Sequence, residues 1–404
     1  MTRKSHVRVA DLRGASRLAI DATIGLTSLV ETMHHNILRT PGVLGEATQQ
    51  PAQGITGFVY KSIRGVTRLV GGGIDAVLAR FVPSFSSSGE GSSSAEREGV
   101  LAALNGVLGD HLQDSANPLA IPLRFRRDGR VLEPSPQRLA AAIPQATGRV
   151  LLLVHGLCMN DLLWRRHGHD HGAALAAATG FTPVYLHYNS GLHVSTNGRE
   201  LAAQLEALLR AWPVPVERLA ILAHSMGGLV ARSACHYGEV AGHDWRRRLR
   251  TMVFLGTPHH GAPLERGGNW IDAALDASPY TTAFARLGKI RSAGITDLRH
   301  GSMLDADWQQ SDRFARTRRR VLALPLPLDV DCCAIAASTA RKASDLAGKL
   351  LGDGLVPVAS ALGRHEDPRR SLAFAKSRQW IGYGMHHLDL LDNSEVCARI
   401  QRWL

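Results

Sequence analysis

From about residue 97 onward, short apolar runs alternate with stretches of helical periodicity. This repeated strand–helix order is typical of a mostly parallel sheet wrapped by helices. An opening hairpin is expected around the turn Arg127-Asp128-Gly129. The other predicted strands are 149–154, 181–188, 218–223, 251–255, 331–337 and a weaker one at 372–380. The predicted helices are 97–113, 199–212, 227–236 and 394–404. The pattern therefore predicts an α/β fold with a mostly parallel central sheet and flanking helices.

Residues at about 262–326 interrupt this alternation and indicate a helical insertion. Large apolar side chains recur in it, and an apolar lid over a site would favour an apolar ligand. A packed helical cap without mobility is the alternative interpretation. The apolar residues are Trp270, Ile271, Ala274, Leu275, Tyr280, Phe284, Leu287, Ile290 and Trp308.

The first 83 residues show a different pattern. Apolar positions at helical spacing over 12–38 and 55–82, separated by Pro- and Gly-containing sequence, predict a helical hairpin. A Ser/Gly-rich stretch at 84–96 reads as a linker to an α/β domain at 97–404. The hairpin is expected to dock on that domain or to self-associate. Peripheral association of 12–82 with a membrane or lipid-body surface is the alternative.

Composition narrows the partners and the compartment. The net charge is +12 and the pI about 10.0, but residues 1–115 carry only eleven Lys/Arg against ten Asp/Glu. No basic stripe with interleaved aromatic residues appears, so we expect no nucleic-acid partner. The five cysteines form no even framework, which favours a reducing compartment. Without a secretory signal or a long apolar run, we expect a cytoplasmic protein.

The strongest chemical signal is the sequence Ala223-His-Ser225-Met-Gly227 between a predicted strand and a predicted helix. A sharp strand-to-helix turn exposes a serine hydroxyl, and the crowding there requires small residues two positions before and after it. Alanine and glycine fill those positions. The helix N-terminus also favours developing negative charge. Ser225 is therefore the predicted nucleophile.

A serine nucleophile needs a base and an acid that orients the base. In sheets of this type the chain order is serine, acid, histidine. Asp353 lies in a glycine-flanked loop after an apolar strand, and His386-His387 lie in a loop before the last helix. The order therefore predicts Ser225, Asp353 and a histidine as the triad, and the residues alone leave either histidine open.

Cleavage of an acyl bond also needs backbone N–H donors for the oxyanion. We predict one donor at Met226, directly after the nucleophile. The second is predicted at Leu157, because the strand ending at Val154 is followed by His155-Gly156, which lets the backbone turn close to a substrate.

Over roughly 148–404, these motifs together resemble the lipase and esterase branch of the α/β-hydrolase superfamily. The stretches at His155-Gly156, 224–228, 255–261 and 353–357 are most similar to bacterial lipases and the GPI inositol-deacylase-like group. The resemblance implies a serine carboxylester hydrolase that forms an acyl-enzyme. It also selects His387, which directly precedes Leu-Asp, over His386, and implies structural roles for His259 and His260. Residues 1–115 have no counterpart in it.

Alternative functions either use the same triad or do not depend on it. Thioester cleavage or acyl transfer would use the same triad, and a docking role for the N-terminal helices would make catalysis secondary. His167-Gly-His169-Asp-His171 has the look of a ligand cluster, but no Cys or Glu pair accompanies it, so we interpret it as a solvated polar stretch. We predict no cofactor and no metal; a calcium ion bracing the His387 loop, with Asp389 nearby, is the alternative that the sequence leaves open. The acyl chain length, the alcohol and the oligomeric state do not follow from the sequence.

Overall fold

The computed structural model describes residues 10–11, 13–18, 95–262, 292–309, 321–341 and 352–404. The chain divides into two compact units, Met1–Gly91 with Asp114–Leu119, and Ser92–Gln113 with Ala120–Leu404. In the first unit, 10–11 and 13–18 are helical, and the Asn117 side chain donates to the carbonyl of Gly14 at 3.1 Å. The rest of the predicted hairpin and the start of the linker lie outside the described residues, and the predicted domain boundaries stay predictions.

The second unit contains the strands of the central sheet. They are β1 (Arg124–Arg127), β2 (Arg130–Val131), β3 (Arg149–Val154), β6 (Thr182–His187), β7 (Arg218–His224), β8 (Leu249–Leu255), β9 (Asp331–Ser338) and β10 (Gln379–Tyr383), while β4 (Arg165–Arg166) and β5 (His169–Asp170) form a separate two-stranded hairpin. The sheet order is β10-β9-β8-β7-β3-β6-β1-β2. The six strands from β10 to β6 pair in parallel, whereas β1 is antiparallel to both β6 and β2. The predicted mostly parallel sheet is confirmed.

Helices flank this sheet. They are α1 (Ala95–Asp114), α2 (Pro136–Ala142), α3 (His171–Thr179), α4 (Val194–Arg210), α5 (Met226–Val240), α6 (Trp245–Arg248), α7 (Ala293–His300), α8 (Val358–Ala361) and α9 (Ser394–Trp403). Strands β3, β6 and β7 are buried along nearly their whole length, as expected for parallel strands covered on both faces. No helix in the described part of the chain combines the length and apolar character needed to cross a membrane.

The last strand differs from its predicted position. Leu372–Trp380 was expected to form it, but β10 spans Gln379–Tyr383. The Leu372 N–H instead donates to the Gly363 carbonyl at 2.8 Å, and Phe374 packs 5.9 Å from the ring of Phe254. These apolar side chains belong to a loop that packs against the sheet at Phe254. A propensity pattern does not distinguish such a loop from a strand.

Helix α4 begins five residues before its predicted start. The reason is a long-range cap: the Asp297 carboxylate accepts the Val194 N–H at 2.9 Å and lies 2.9 Å from His193 Nδ1. Asp297 lies on α7, so the sequence around residue 194 does not indicate where α4 begins.

Part of the predicted insertion at 262–326 is described. Helix α7 is mostly buried, and its N-cap Ser292 accepts the Ile295 N–H. After it, Trp308 stacks on His193 with ring centroids 3.7 Å apart and donates from Nε1 to Ser195 Oγ. Residues 292–309 are thus packed against the start of α4, while 263–291 and 310–320 lie outside the described residues.

Candidate active site

The candidate site lies where the chain order of the sheet reverses. Strand β3 lies between β6, which follows it in the chain, and β7, which follows β6. In open α/β sheets, ligands bind in the crevice at the carboxyl ends of strands at such a switch point. The predicted nucleophile follows β7 and the predicted second oxyanion donor follows β3. The topology therefore brings these two turns side by side.

Ser225 occupies the turn between β7 and α5 with φ 54° and ψ −127°. A non-glycine residue in such a region costs of order 1–3 kcal/mol and persists only where the surroundings impose it. Its N–H donates to the Leu255 carbonyl, at the end of neighbouring β8, at 2.8 Å. Ser225 is the N-cap of α5, where the helix dipole favours negative charge.

The turn has no spare volume next to Ser225. A methyl group on Gly227 would lie 2.5 Å from the carbonyl oxygens of both Val154 and His155. Only glycine allows α5 to approach the end of β3 this closely. The structure therefore explains the small residue that the sequence motif requires at this position.

Asp353 and His387 meet in a buried pair. Nδ1 of His387 lies 2.7 Å from Oδ2 of Asp353, and the other carboxylate oxygen accepts the N–H groups of Leu355 (2.9 Å) and Val356 (2.8 Å). A carboxylate only accepts, so Nδ1 carries the ring proton. Nε2 of a neutral His387 is therefore unprotonated, and among the described residues it has no hydrogen-bond partner.

The two adjacent histidines have different environments. His387 is 4% exposed, whereas the side chain of His386 is exposed and its backbone N–H donates to Asp389 at 2.7 Å. The structure thus brings His387, and not His386, to Asp353. Asp389 holds the start of this turn through that hydrogen bond.

His224 links the nucleophile turn to the His387 turn, a contact that sequence reasoning missed. Its Nε2 lies 3.2 Å from the carbonyl oxygen of His387, and the two rings are 4.6 Å apart. A carbonyl only accepts, so Nε2 of His224 is the donor. Burial lowers the pKa of His224 well below its usual value, which keeps the ring neutral.

The loop after β3 passes directly against the nucleophile. A methyl group on Gly156 would lie 3.0 Å from Cβ of Ser225. Leu157 follows it, and Met226 opens α5, where the first N–H groups have no acceptor within the helix. The two predicted oxyanion donors are therefore on neighbouring segments next to Ser225.

Polar contacts hold this loop on both sides of Leu157. The Tyr188 hydroxyl donates to the His155 carbonyl at 2.8 Å, and the two rings stack at 4.3 Å. After the loop, Cys158 adopts φ 58° and its N–H donates to Ser190 Oγ at 3.0 Å. Burial raises the pKa of Cys158 to about 12, so this thiol stays protonated. These contacts come from the segment after β6, which no motif near the loop reveals.

A buried charged cluster lies under the same loop. Arg126 Nη1 lies 2.8 Å from Glu98 and 3.2 Å from Asp161, and His187 Nδ1 lies 3.0 Å from Asp161. Burial raises the pKa of Asp161, but His187 and Arg126 outweigh this effect and hold that pKa below its usual value. The four members come from separate elements, so their proximity follows only from the fold.

His259 and His260, which the resemblance assigned to structure, lie beside α5. Nδ1 of His259 lies 3.3 Å from a guanidinium nitrogen of Arg232, and both residues are buried. Burial, followed by the nearby Arg232 charge, lowers the pKa of His259 well below its usual value. His260 places Nε2 3.0 Å from the Gly363 carbonyl. Neither histidine touches the Asp353–His387 pair by any described hydrogen bond.

One cavity in the described part of the chain lies away from Ser225. Its volume is about 580 Å³, and it lies between the segments 323–332 and 369–378, with three arginines at its rim. None of Ser225, Asp353 and His387 lines it. We place the candidate site by the catalytic geometry rather than by this surface cavity.

Part of the chain is similar to a known protein family. Residues 145–324 match the family model of the PGAP1-like alpha/beta domain. No curated protein sequence matches the chain.

Three solved structures illustrate the distant structural likenesses. The mature Bacillus licheniformis lipase BlEst2 is 18% identical, with 63% of this chain and 91% of that chain covered and a TM-score of 0.39. A thermophilic esterase from Thermogutta terrifontis is 15% identical, with 70% of this chain and 93% of that chain covered and a TM-score of 0.37. The phospholipase PlaB from Legionella pneumophila is 16% identical, with 53% of this chain and 45% of that chain covered and a TM-score of 0.34. Because these likenesses are distant, the fold assignment stands on the strand order.

That order runs through parallel β3, β7, β8 and β9, with a strained serine turn after β7. The family match covers the segment from before β3 to beyond α7. The strand order and the family match agree with the resemblance that the motifs predicted: this chain has an α/β fold with a mostly parallel sheet and is similar to the PGAP1-like alpha/beta domain over residues 145–324.

Proposed function

We propose that this chain is a serine carboxylester hydrolase with Ser225, Asp353 and His387 as its triad. The observation that carries the proposal is the combination of a strained serine at the end of β7 with a buried Asp353–His387 pair, on two turns that the His224–His387 hydrogen bond joins. A positioned base with a free lone pair beside a serine is the arrangement that nucleophilic acyl chemistry requires.

The proposed reaction has two halves. The Ser225 hydroxyl attacks the ester carbonyl carbon while Nε2 of His387 takes its proton. The resulting imidazolium is held by the Asp353 carboxylate and gives the proton to the departing alkoxide, which leaves as the alcohol. A water molecule then attacks the acyl-enzyme, with His387 again as base, and releases the carboxylic acid and free Ser225.

Backbone donors support the charged intermediate in this proposal. The N–H groups of Leu157 and Met226 would donate to the oxyanion formed in each half-reaction. Loss of one such donor costs about 10²- to 10³-fold in kcat where a side chain supplies it. In this chain the loop contacts of Tyr188 and Ser190 set the position of the Leu157 N–H.

The proposed substrate is an acyl ester of medium or longer chain, by extension a lipid-like one, and the proposed setting is the cytoplasm. The support is the apolar composition of the predicted insertion, most of which lies outside the described residues. Thioester cleavage and acyl transfer proceed through the same acyl-enzyme, so substrate choice must be decided by experiment.

Hydrolysis of a series of p-nitrophenyl esters of increasing chain length tests the proposal. We expect wild-type turnover to be lost in Ser225→Ala and kept in Ser377→Ala, which removes an exposed hydroxyl from the same unit. A fluorophosphonate probe should label Ser225 in the wild type, as located by peptide mass spectrometry. Turnover that survives in Ser225→Ala would refute the triad, and faster turnover of short esters would refute the lipid emphasis.

Association of the N-terminal region with lipid surfaces is a separate proposal. Flotation with liposomes should carry the full chain upward and leave a chain lacking residues 1–95 at the bottom of the gradient. Equal distribution of the two forms would contradict the association and leave the triad untouched.

A further inference from the structure

Two histidines near the start of α3 meet a cysteine of the last helix. His169 lies on β5, His171 is the first residue of α3, and Cys397 lies on α9. One ring nitrogen of each histidine and the cysteine sulfur all lie within 4.8 Å of one another. The sequence offered no cysteine partner for this stretch, because Cys397 follows His171 only after more than two hundred residues.

Hydrogen bonds assign the ring nitrogens of His171. Its Nε2 lies 2.9 Å from the carbonyl oxygen of Leu390, which can only accept, so Nε2 carries the proton. Its Nδ1 therefore presents a lone pair, and it faces Nε2 of His169 at 2.8 Å. A ligand histidine whose second nitrogen donates to a backbone carbonyl is the usual arrangement around a bound metal ion.

The spacing suits a tetrahedral ion. With bonds of about 2.0–2.1 Å to nitrogen and about 2.3 Å to sulfur, ligand atoms around Zn²⁺ lie roughly 3.3–3.6 Å apart. The observed spacing brackets this value, so small side-chain rotations would bring all three atoms to one ion. Two imidazoles and a thiolate are ligands that favour Zn²⁺ over Ca²⁺ or Mg²⁺.

The neighbouring polar residues are already engaged elsewhere. The Asp170 carboxylate accepts the Tyr185 hydroxyl at 2.8 Å and the Ala173 N–H at 3.2 Å. His167 turns away and places Nδ1 2.6 Å from Asp392. His169 and Cys397 are partly exposed and His171 is buried, so the cluster lies partly open to solvent.

We propose that His169, His171 and Cys397 form a Zn²⁺ site, with His171 binding through Nδ1 and water as the fourth ligand. On binding, Cys397 gives its thiol proton to solvent and bonds as the thiolate, while His169 keeps one proton by carrying it on Nδ1 instead of Nε2. One proton is therefore released per ion.

The site would join three parts of the unit. Strand β5, the start of α3 and α9 would share one ion, and His171 would still hold the Leu390 carbonyl through Nε2. Leu390 belongs to the short 3₁₀ turn His387–Leu391 that carries the proposed base. The role inferred for the ion is structural. His171 contacts that turn through the backbone carbonyl of Leu390, so the ion would help to hold the turn in place.

Cobalt substitution in the full chain tests the proposal. After removal of metal with a chelator, Co²⁺ is added and the near-ultraviolet absorption is followed. We expect a thiolate-to-Co²⁺ charge-transfer band that saturates at one ion per chain and disappears when Zn²⁺ displaces the cobalt. Zn²⁺ should also raise the Tm of the wild type.

Variants separate this site from adventitious binding by the chain's 19 histidines. Cys397→Ser should abolish the band and weaken Zn²⁺ binding by more than the roughly 10- to 100-fold typical of an outer-shell partner. His169→Gln should weaken binding likewise, and circular dichroism checks that each variant is folded. His167→Gln, in the same segment, should bind as the wild type does. A missing band in the wild type, or an unchanged band in Cys397→Ser, would overturn the site.

Discussion

The turns of Ser225 and His387 are held by different kinds of force. At Ser225 the backbone is strained, and neighbouring backbone fills the space where a methyl group on Gly156 or Gly227 would project. The His387 turn is a short 3₁₀ helix held by hydrogen bonds to His386 N–H, His387 C=O and Leu390 C=O. Sterics fix the proposed nucleophile, and polar contacts fix the proposed base.

This difference predicts which substitutions disturb each turn. Added volume should disturb the Ser225 turn, because packed backbone cannot move aside without cost. Removal of a polar atom should disturb the His387 turn, because it leaves a buried carbonyl without its donor. The two turns should therefore respond to different kinds of substitution, although the His224–His387 hydrogen bond joins them.

The largest expected effect is the loss of the proposed base. His387→Ala should lower kcat for a cleaved ester by roughly 10⁴- to 10⁶-fold, since a triad without its base retains only binding and oxyanion stabilisation. His386→Ala, the matched control, should leave kcat within about threefold because that side chain is exposed. Equal losses in the two variants would remove the distinction between these histidines.

The next effect tests the steric side. Gly227→Ala places a methyl group against two carbonyl oxygens and should lower the free energy of unfolding by about 2–3 kcal/mol in urea titrations. Gly180→Ala is the control: its φ is 73° but the added methyl meets open space, so only the backbone cost of about 1–2 kcal/mol applies. If Gly227→Ala costs no more than Gly180→Ala, crowding is not what fixes the Ser225 turn.

A pH series tests the neutral histidine beside the oxyanion loop. Burial lowers the pKa of His155 to about 3 from an ordinary 6.5. Below pH 6.5 the unfolded chain therefore binds the extra proton, and the free energy of unfolding falls as pH falls, by up to about 1.4 kcal/mol per pH unit down to about pH 3. Urea titrations at pH 7.5 and 5.5 should show a smaller loss for His155→Gln than for the wild type. The same loss in the wild type and in His155→Gln would show that a group other than His155 takes up the proton.

The smallest effect tests the polar side. His224→Phe removes the donor to the His387 carbonyl and should lower kcat about tenfold with little change in KM, because the base is misplaced rather than absent. His224→Gln keeps an N–H of similar reach and should recover part of that loss. A glutamine variant as slow as the phenylalanine variant would argue against positioning through this hydrogen bond.

The sequence was informative where one segment decides the structure. The strand before Ser225, the small residues around it and the start of α5 are contiguous, so local pattern predicts the turn. Loop positions and chain order predicted Asp353 together with His386 or His387, and the family resemblance selected His387. The structure places Nδ1 of His387 2.7 Å from Oδ2 of Asp353. Their catalytic roles stay predictions.

The sequence was silent where distant residues meet. The cap of α4 by Asp297, the hydrogen bond from His224 to the His387 turn and the approach of Cys397 to His169 each join separate elements. Strand β10 was misplaced because Leu372 and Phe374 have the composition of a strand but pack in a loop. Pairing with β9, and not propensity, decides which residues form the strand.

The outermost strand of the sheet has a consequence for association between molecules. At this edge β2 offers only Arg130 and Val131, both exposed, beyond the longer β1. A two-residue edge with a charged side chain gives an incoming strand few backbone groups to pair with, so it discourages edge-to-edge aggregation. Lengthening β2, or replacing Arg130 by an apolar β-branched residue, would remove that protection without touching the candidate site.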